Sequence, residues 1–145
     1  GLHTALDTSG YLGELADEEL LSDVDLVLLD IKAATGKLFQ KLTGVDIKPT
    51  IKFAEDLAAM NKPVWLRYVL VPGLTDNMGE IESLAIFAAG LGNVERVDVL
   101  PFHKLGEHKW RDLGLSYRLE RVRPPSEELL ARTRETFRTA GLLVS

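Results

Sequence analysis

A chain of 145 residues with 46% hydrophobic and 27% charged side chains has the size and composition of one soluble globular unit, long enough to bury a core. Its net charge of -5 argues against general nucleic-acid binding, which needs a basic surface to displace counterions, and the absence of cysteine excludes disulfides and thiolate metal or iron–sulfur ligation by this chain. No apolar stretch approaches the roughly 20 residues that span a bilayer, and the first residues lack the order of a signal peptide, so no membrane association and a cytoplasmic location are expected.

Apolar, β-branched runs bounded by turn formers predict four strands, over Leu2–Asp7, Leu26–Lys32, Val64–Val71 and Val94–Leu100. In chain order, the first runs into D-T-S-G and then a short acidic stretch between Leu12 and Leu21. After the second strand, Thr50 is placed to cap a helix whose Ile51, Ala54 and Ala58 recur at three- and four-residue steps, with Asn61 and Pro63 closing it. The helix after the third strand starts at Asp76 or Asn77, buries Ile81, Leu84, Ala85, Ala88 and Leu91, and ends on the left-handed residue that Gly92 supplies. The basic cluster Arg118 to Arg123 alternates with Leu119, Glu120 and Val122 and reads as a solvated, strand-like edge. A last helix begins after Pro124 and Pro125, with Ser126 as cap and Glu127 and Glu128 at its positive end, and runs through Leu130 and Phe137 to Gly141. The strand–helix alternation implies parallel strands with right-handed crossovers in a single α/β domain over residues 1–145. Since a complete (β/α) barrel takes about 250 residues, four units make a partial barrel or a small open sheet. The first strand is an uncovered edge, for which a preceding segment, or else self-association, is expected.

Each strand stops at, or contains, a polar residue that chemistry can use: Asp7, then Asp30 and Lys32, then Arg67, then His103. Strand ends on one rim of a parallel α/β array are where catalytic and binding groups collect. Asp7 also suits an Asx turn or a helix cap. Asp30 ends an apolar run and needs a cation or donor to offset desolvation, and Lys32, two residues on and therefore on the same side, is the obvious partner. Asp7 and Asp30 on adjacent strand ends repel unless a proton or cation lies between them, which makes Asp7, Thr8 and Asp30 a candidate cation site. Arg67, inside an apolar strand, demands a carboxylate or phosphate. Taken together, Lys and Arg suit an anion while Asp and His suit hydroxyls, so the site favours a ligand carrying both.

The segments HTALDTSG, DLVLLDIK, VWLRYVLVPGLTD and VDVLPFHKLGEHKW, in this order and followed by the helix after the double proline, resemble the C-terminal portion of pyruvate formate-lyase activating enzymes, of the radical S-adenosylmethionine superfamily. The resemblance covers nearly the whole chain. It implies a partial (β/α) barrel in which these strands are the third to sixth, with the cluster-binding CxxxCxxC loop and a glycine-rich motif expected upstream of Gly1. Ala5 stands where some relatives carry a non-ligand cysteine. The resemblance further implies that S-adenosylmethionine lies among Asp7, Asp30, Ile31, Lys32, Arg67 and His103: Lys32 and Arg67 at its carboxylate-bearing part, His103 by the nucleoside, Asp7 and Asp30 framing a polar or cation site. It also implies a 4Fe-4S cluster whose ligands this chain lacks, and a 5′-deoxyadenosyl radical that takes hydrogen from a glycine of a glycyl radical enzyme such as pyruvate formate-lyase, the electron coming from a flavodoxin or ferredoxin. This chain would supply orienting residues and be inactive alone. Two other readings of the residues stay open, an aldolase-like barrel with a Schiff base at Lys32 and a non-catalytic interaction module using the edge strand.

Overall fold

The computed structural model describes residues 1–145. Four parallel strands, β1 (Ala5–Thr8), β2 (Leu26–Asp30), β3 (Val64–Leu70) and β4 (Val94–Pro101), lie side by side in the order in which the chain makes them. Because right-handed crossovers between successive parallel neighbours always return on the same side, that order gathers the helices on one face and leaves the other open. Burial shows this directly. Along β3, Val64, Leu66, Tyr68 and Leu70 are buried while Trp65, Arg67 and Val69 are half-exposed. Register continues the buried row with Val27 and Leu29 of β2 and Val97 and Val99 of β4, all buried.

Helices α3 (Lys48–Ala59), α4 (Met78–Leu91) and α6 (Glu127–Thr139) cover that apolar face. Helix α4 buries Ile81, Leu84, Ala85 and Ala88, starts where the Asn77 side chain accepts from the Glu80 N–H at 3.1 Å, and stops at Gly92. Helix α6 starts where Ser126 accepts from the Leu129 N–H and sets Phe137 against Tyr68, ring centroids 6.1 Å apart. These two helices and the third and fourth strands agree with the sequence reading because the apolar runs are long and the helix caps are explicit.

Several expectations need correction. The first strand starts at Ala5, not Leu2: the Asp25 carboxylate takes the Thr4 N–H at 2.7 Å, so the ladder opens one residue later, and that bond holds the Asp25 carboxyl below its usual range. Leu2 is exposed. The second strand ends at Asp30, leaving Lys32 just beyond it. Thr50 caps nothing. It is buried in the first turn of α3, where its hydroxyl donates to the Ser9 carbonyl at 3.0 Å and ties the D-T-S-G turn to the helix. The 3-10 turn that follows, Gly13–Leu15, needs glycine at its first position, since a Cβ there would come within 2.3 Å of the Phe53 ring. Three helices lie outside the sequence reading: α1 (Glu18–Ser22), α2 (Gly36–Thr43) and α5 (Glu107–Asp112). The Arg118–Arg123 cluster is not strand but turn, closed by the Glu120 and Val122 N–H groups donating to the Tyr117 and Leu119 carbonyls.

The two edges differ. The C-terminal segment covers part of β4, with Val97 and Val144 bridged in parallel, whereas β1 pairs only with β2. No helix is long and apolar enough to cross a membrane.

Candidate functional site

The open face of the sheet carries the residues that the strand pattern singles out. Register sets Asp30 of β2 directly beside Arg67 of β3, and Asp7 of β1 beside Leu28, one step down the same face. Arg67 reaches both carboxylates. Its Nε donates to Asp30 Oδ1 at 2.7 Å, its Nη1 donates to Asp7 Oδ2 at 2.9 Å, and its Nη2 donates to Asp7 Oδ1. Lys32 Nζ meets the other oxygen of Asp30 at 2.6 Å. The result is a continuous chain of alternating charge, Asp7–Arg67–Asp30–Lys32, with two carboxylates and two cations in balance.

That chain explains how an arginine sits within an apolar strand. Two partnered carboxylates compensate its desolvation, and a bidentate contact to Asp7 adds directionality to the attraction. The same contacts, Asp7 foremost, push the guanidinium pKa above its ordinary value against the effect of burial. The position between Asp7 and Asp30, where a cation was expected, is held by the guanidinium, and no group of three or more His, Cys, Asp or Glu side chains converges anywhere in the structure. Thr8 points its hydroxyl elsewhere, accepting from the Gly10 N–H at 3.0 Å, so the turn after β1 is made by Thr8 and not by an Asx contact of Asp7.

Two candidates stand apart from the chain. Ile31 is fully buried, and its N–H donates to the Arg67 carbonyl at 3.3 Å, so its side chain belongs to the core. His103 is exposed on the segment after β4, where its Nδ1 accepts a long 3.4 Å bond from the Leu105 N–H; it forms no hydrogen bond or ion pair with Asp7, Asp30, Lys32 or Arg67.

Other contributors escaped the sequence reading. Asp98 of β4 pairs in register with Arg67 of β3 and holds Arg96 at 2.8 Å, while the Arg96 guanidinium stacks 3.5 Å from the centroid of the Trp65 ring. The alternation V-E-R-V-D-V marks Arg96 and Asp98 as one face, and that was the available signal. Behind Lys32, Glu80 of α4 accepts from the Ala34 N–H at 3.2 Å, from the Thr35 N–H at 3.0 Å and from the Thr35 hydroxyl at 2.5 Å. These bonds bridge 45 residues of sequence, fix the turn after β2 and so limit where Lys32 can reach; no local pattern announces them. On the far side, Tyr68 donates to the Thr75 carbonyl at 2.6 Å and pins the loop after β3.

No protein-family model matches the chain. The pyruvate formate-lyase 1-activating enzyme of Escherichia coli strain K12 is 42% identical over 143 residues, which is 97% of this chain and 58% of that protein. The pyruvate formate-lyase-activating enzyme of Staphylococcus epidermidis is 43% identical over 134 residues, covering 88% of this chain and 53% of that protein. The chain therefore spans a little over half the length of these curated relatives. Among solved structures, a domain of pyruvate-formate lyase-activating enzyme from Bacteroides vulgatus superposes over the whole chain and 81% of its own length with a TM-score of 0.77 at 23% identity. A radical SAM methyltransferase from Sphaerobacter thermophilus matches 97% of the chain and 39% of its own length with a TM-score of 0.72 at 21% identity. At those identities the structures speak for the fold, a partial barrel of the radical SAM type, and the sequence relatives speak for kinship: over nearly its whole length the chain is similar to a little over half of the pyruvate formate-lyase activating enzymes.

Proposed function

We propose that this chain is the S-adenosylmethionine-orienting, C-terminal part of a radical SAM activating enzyme that generates a glycyl radical on a target of the pyruvate formate-lyase type. The observation that carries the reading is the Asp7–Arg67–Asp30–Lys32 chain on the open face of the sheet, in a sequence 42% identical over 97% of its length to an enzyme of that name. S-adenosylmethionine and a reduced 4Fe-4S cluster, when bound, supply the radical chemistry that removes hydrogen from a glycine. With no cysteine, this chain offers the cluster no thiolate, and no step of that chemistry is assigned to its residues.

The donor set does fit the polar parts of S-adenosylmethionine. Lys32 ends the charge chain with its side chain 36% exposed and only one of its three N–H donors occupied, so it can take a ligand carboxylate. Asp7 and Asp30 keep lone pairs for an ammonium or a ribose hydroxyl. Arg67, with Nε, Nη1 and Nη2 already engaged, acts as a positioning residue that sets the two carboxylates rather than as the principal anion grip. His103, exposed on the segment after β4, would meet the nucleoside, and Ile31 would contribute its backbone only. The partners are the glycine-bearing target and a one-electron donor of the flavodoxin or ferredoxin type.

In the full-length protein, Lys32→Ala removes a charge-assisted contact worth roughly 1.5–3 kcal/mol, a loss of about ten- to a hundredfold in S-adenosylmethionine affinity, and His103→Ala costs less. Calorimetric titration, with glycyl-radical yield followed by electron paramagnetic resonance, checks this. Undiminished binding and radical yield in both Lys32→Ala and Arg67→Ala would remove the proposed site.

A further inference from the structure

No residue between β4 and α6 belongs to the core clusters or to the charge chain. Helix α5 buries no residue, and the apolar side chains around it face solvent: Leu105 is 77% exposed, Leu113 74% and Leu115 54%. Exposed apolar surface gathered in one segment marks a contact site more often than chance. Beside it opens a cavity of about 550 Å³, floored by Leu42 of α2, Leu74 of the β3–α4 loop and Leu119. Trp110 and Tyr117 form its aromatic wall, centroids 5.9 Å apart and tilted by 48°.

Charge decides what such a cavity would accept. Its only charged lining residues are Lys41 and Arg118, both cationic in a protein of net charge -5, and neither is ion-paired within the chain. Arg118 also opens the basic cluster that continues to Arg121 and Arg123. The Lys104 ammonium donates to the Glu120 carbonyl and closes this turn beside the cavity. None of the lining residues belongs to the Asp7–Arg67–Asp30–Lys32 chain, so the two surfaces can be tested separately.

We propose that this cavity is a docking site for an acidic peptide segment of a partner protein, one bulky apolar side chain entering between Leu42, Leu74 and Trp110 while flanking carboxylates meet Lys41 and Arg118. Arg118 offers a planar fork to a carboxylate and Lys41 a point charge, so an acidic flank is selected over a neutral or basic one. Trp110, 42% exposed when the cavity is open, loses that exposure on docking.

Calorimetry and Trp fluorescence on the intact chain, without S-adenosylmethionine, test this with three capped hexapeptides. One alternates Glu with Leu and Phe, one carries Lys in place of Glu, and one carries Ser in place of the apolar residues. Saturable binding is expected for the first alone, with a shift in emission that Trp110→Phe abolishes, and charge reversal by Lys41→Glu with Arg118→Glu should weaken it about tenfold or more. Because Lys41 lies in the last turn of α2, where a negative charge opposes the helix dipole, the neutral pair Lys41→Gln and Arg118→Gln is measured alongside, with circular dichroism to verify the fold. Absence of saturation, equal binding of the basic peptide, affinity unchanged in both variant pairs, or tighter binding of duplex DNA would each overturn the proposal.

Discussion

The two faces of the sheet are made by the same four strands, yet they obey different rules. On the helix-covered face Val27, Leu29, Val64, Leu66, Leu70 and Val97 are each at most 1% exposed, held in place by packing. On the open face the same strands present Asp7, Asp30, Arg67, Arg96 and Asp98, half-exposed or exposed and joined by ion pairs. Alternation in a strand separates the two sets by a single residue step, so stability and chemistry can be encoded in one segment without competing for a position. A substitution on the covered face should therefore act on folding, and one on the open face on charge positioning and ligand affinity.

The largest effect should come from the covered face. Leu66→Ala leaves a hole at the centre of the core and should lower stability by about 2–5 kcal/mol in denaturant unfolding; a loss under 1 kcal/mol would mean that this face is not the packed one. Tyr68 gives the same face a pH signature. Burial pushes its hydroxyl up to about 12 from an ordinary 10.0. The unfolded chain then loses the proton before the folded one does, so stability present in full below pH 10 falls as pH rises toward 12, by on the order of 2 kcal/mol. Urea midpoints across that range should decline in the native chain and stay flatter in Tyr68→Phe.

On the open face, a double-mutant cycle of Arg67→Met with Asp30→Asn should report a coupling of about 1–3 kcal/mol, and no coupling would break the charge chain at its centre. The smallest effects sharpen the contrast within a single helix. Glu80→Ala should cost about 1–2 kcal/mol and speed hydrogen exchange at the Ala34 and Thr35 amides, whereas Glu82→Ala, exposed two residues on, should stay within about 0.5 kcal/mol and leave those amides unchanged.

Much of the fold was legible because its signals are local and redundant. The four strands carry apolar runs, α4 and α6 carry both an apolar stripe and a capping side chain, and the polar interruptions at Asp7, Asp30 and Arg67 stand out against their surroundings. Helix α2 also carries local signals, since the Thr35 hydroxyl accepts from the Leu38 N–H and Gly44 adopts φ 82° at its end. Helix α5, with no buried side chain, offers no stripe to read. The basic run after it alternates like a strand, but without a neighbour to pair with it closed into turns.

What the sequence determined by itself is which residues carry charge at strand ends and which side of each strand they occupy, because side-chain alternation is a property of the extended backbone alone. Which charges meet was settled only in three dimensions. Parallel register brings Arg67 level with Asp30 and one step above Asp7, so that one guanidinium joins two carboxylates separated by 23 residues, and α4 returns Glu80 beneath the turn that carries Lys32. Those contacts follow from strand order and crossover geometry, to which residue spacing along the chain is blind.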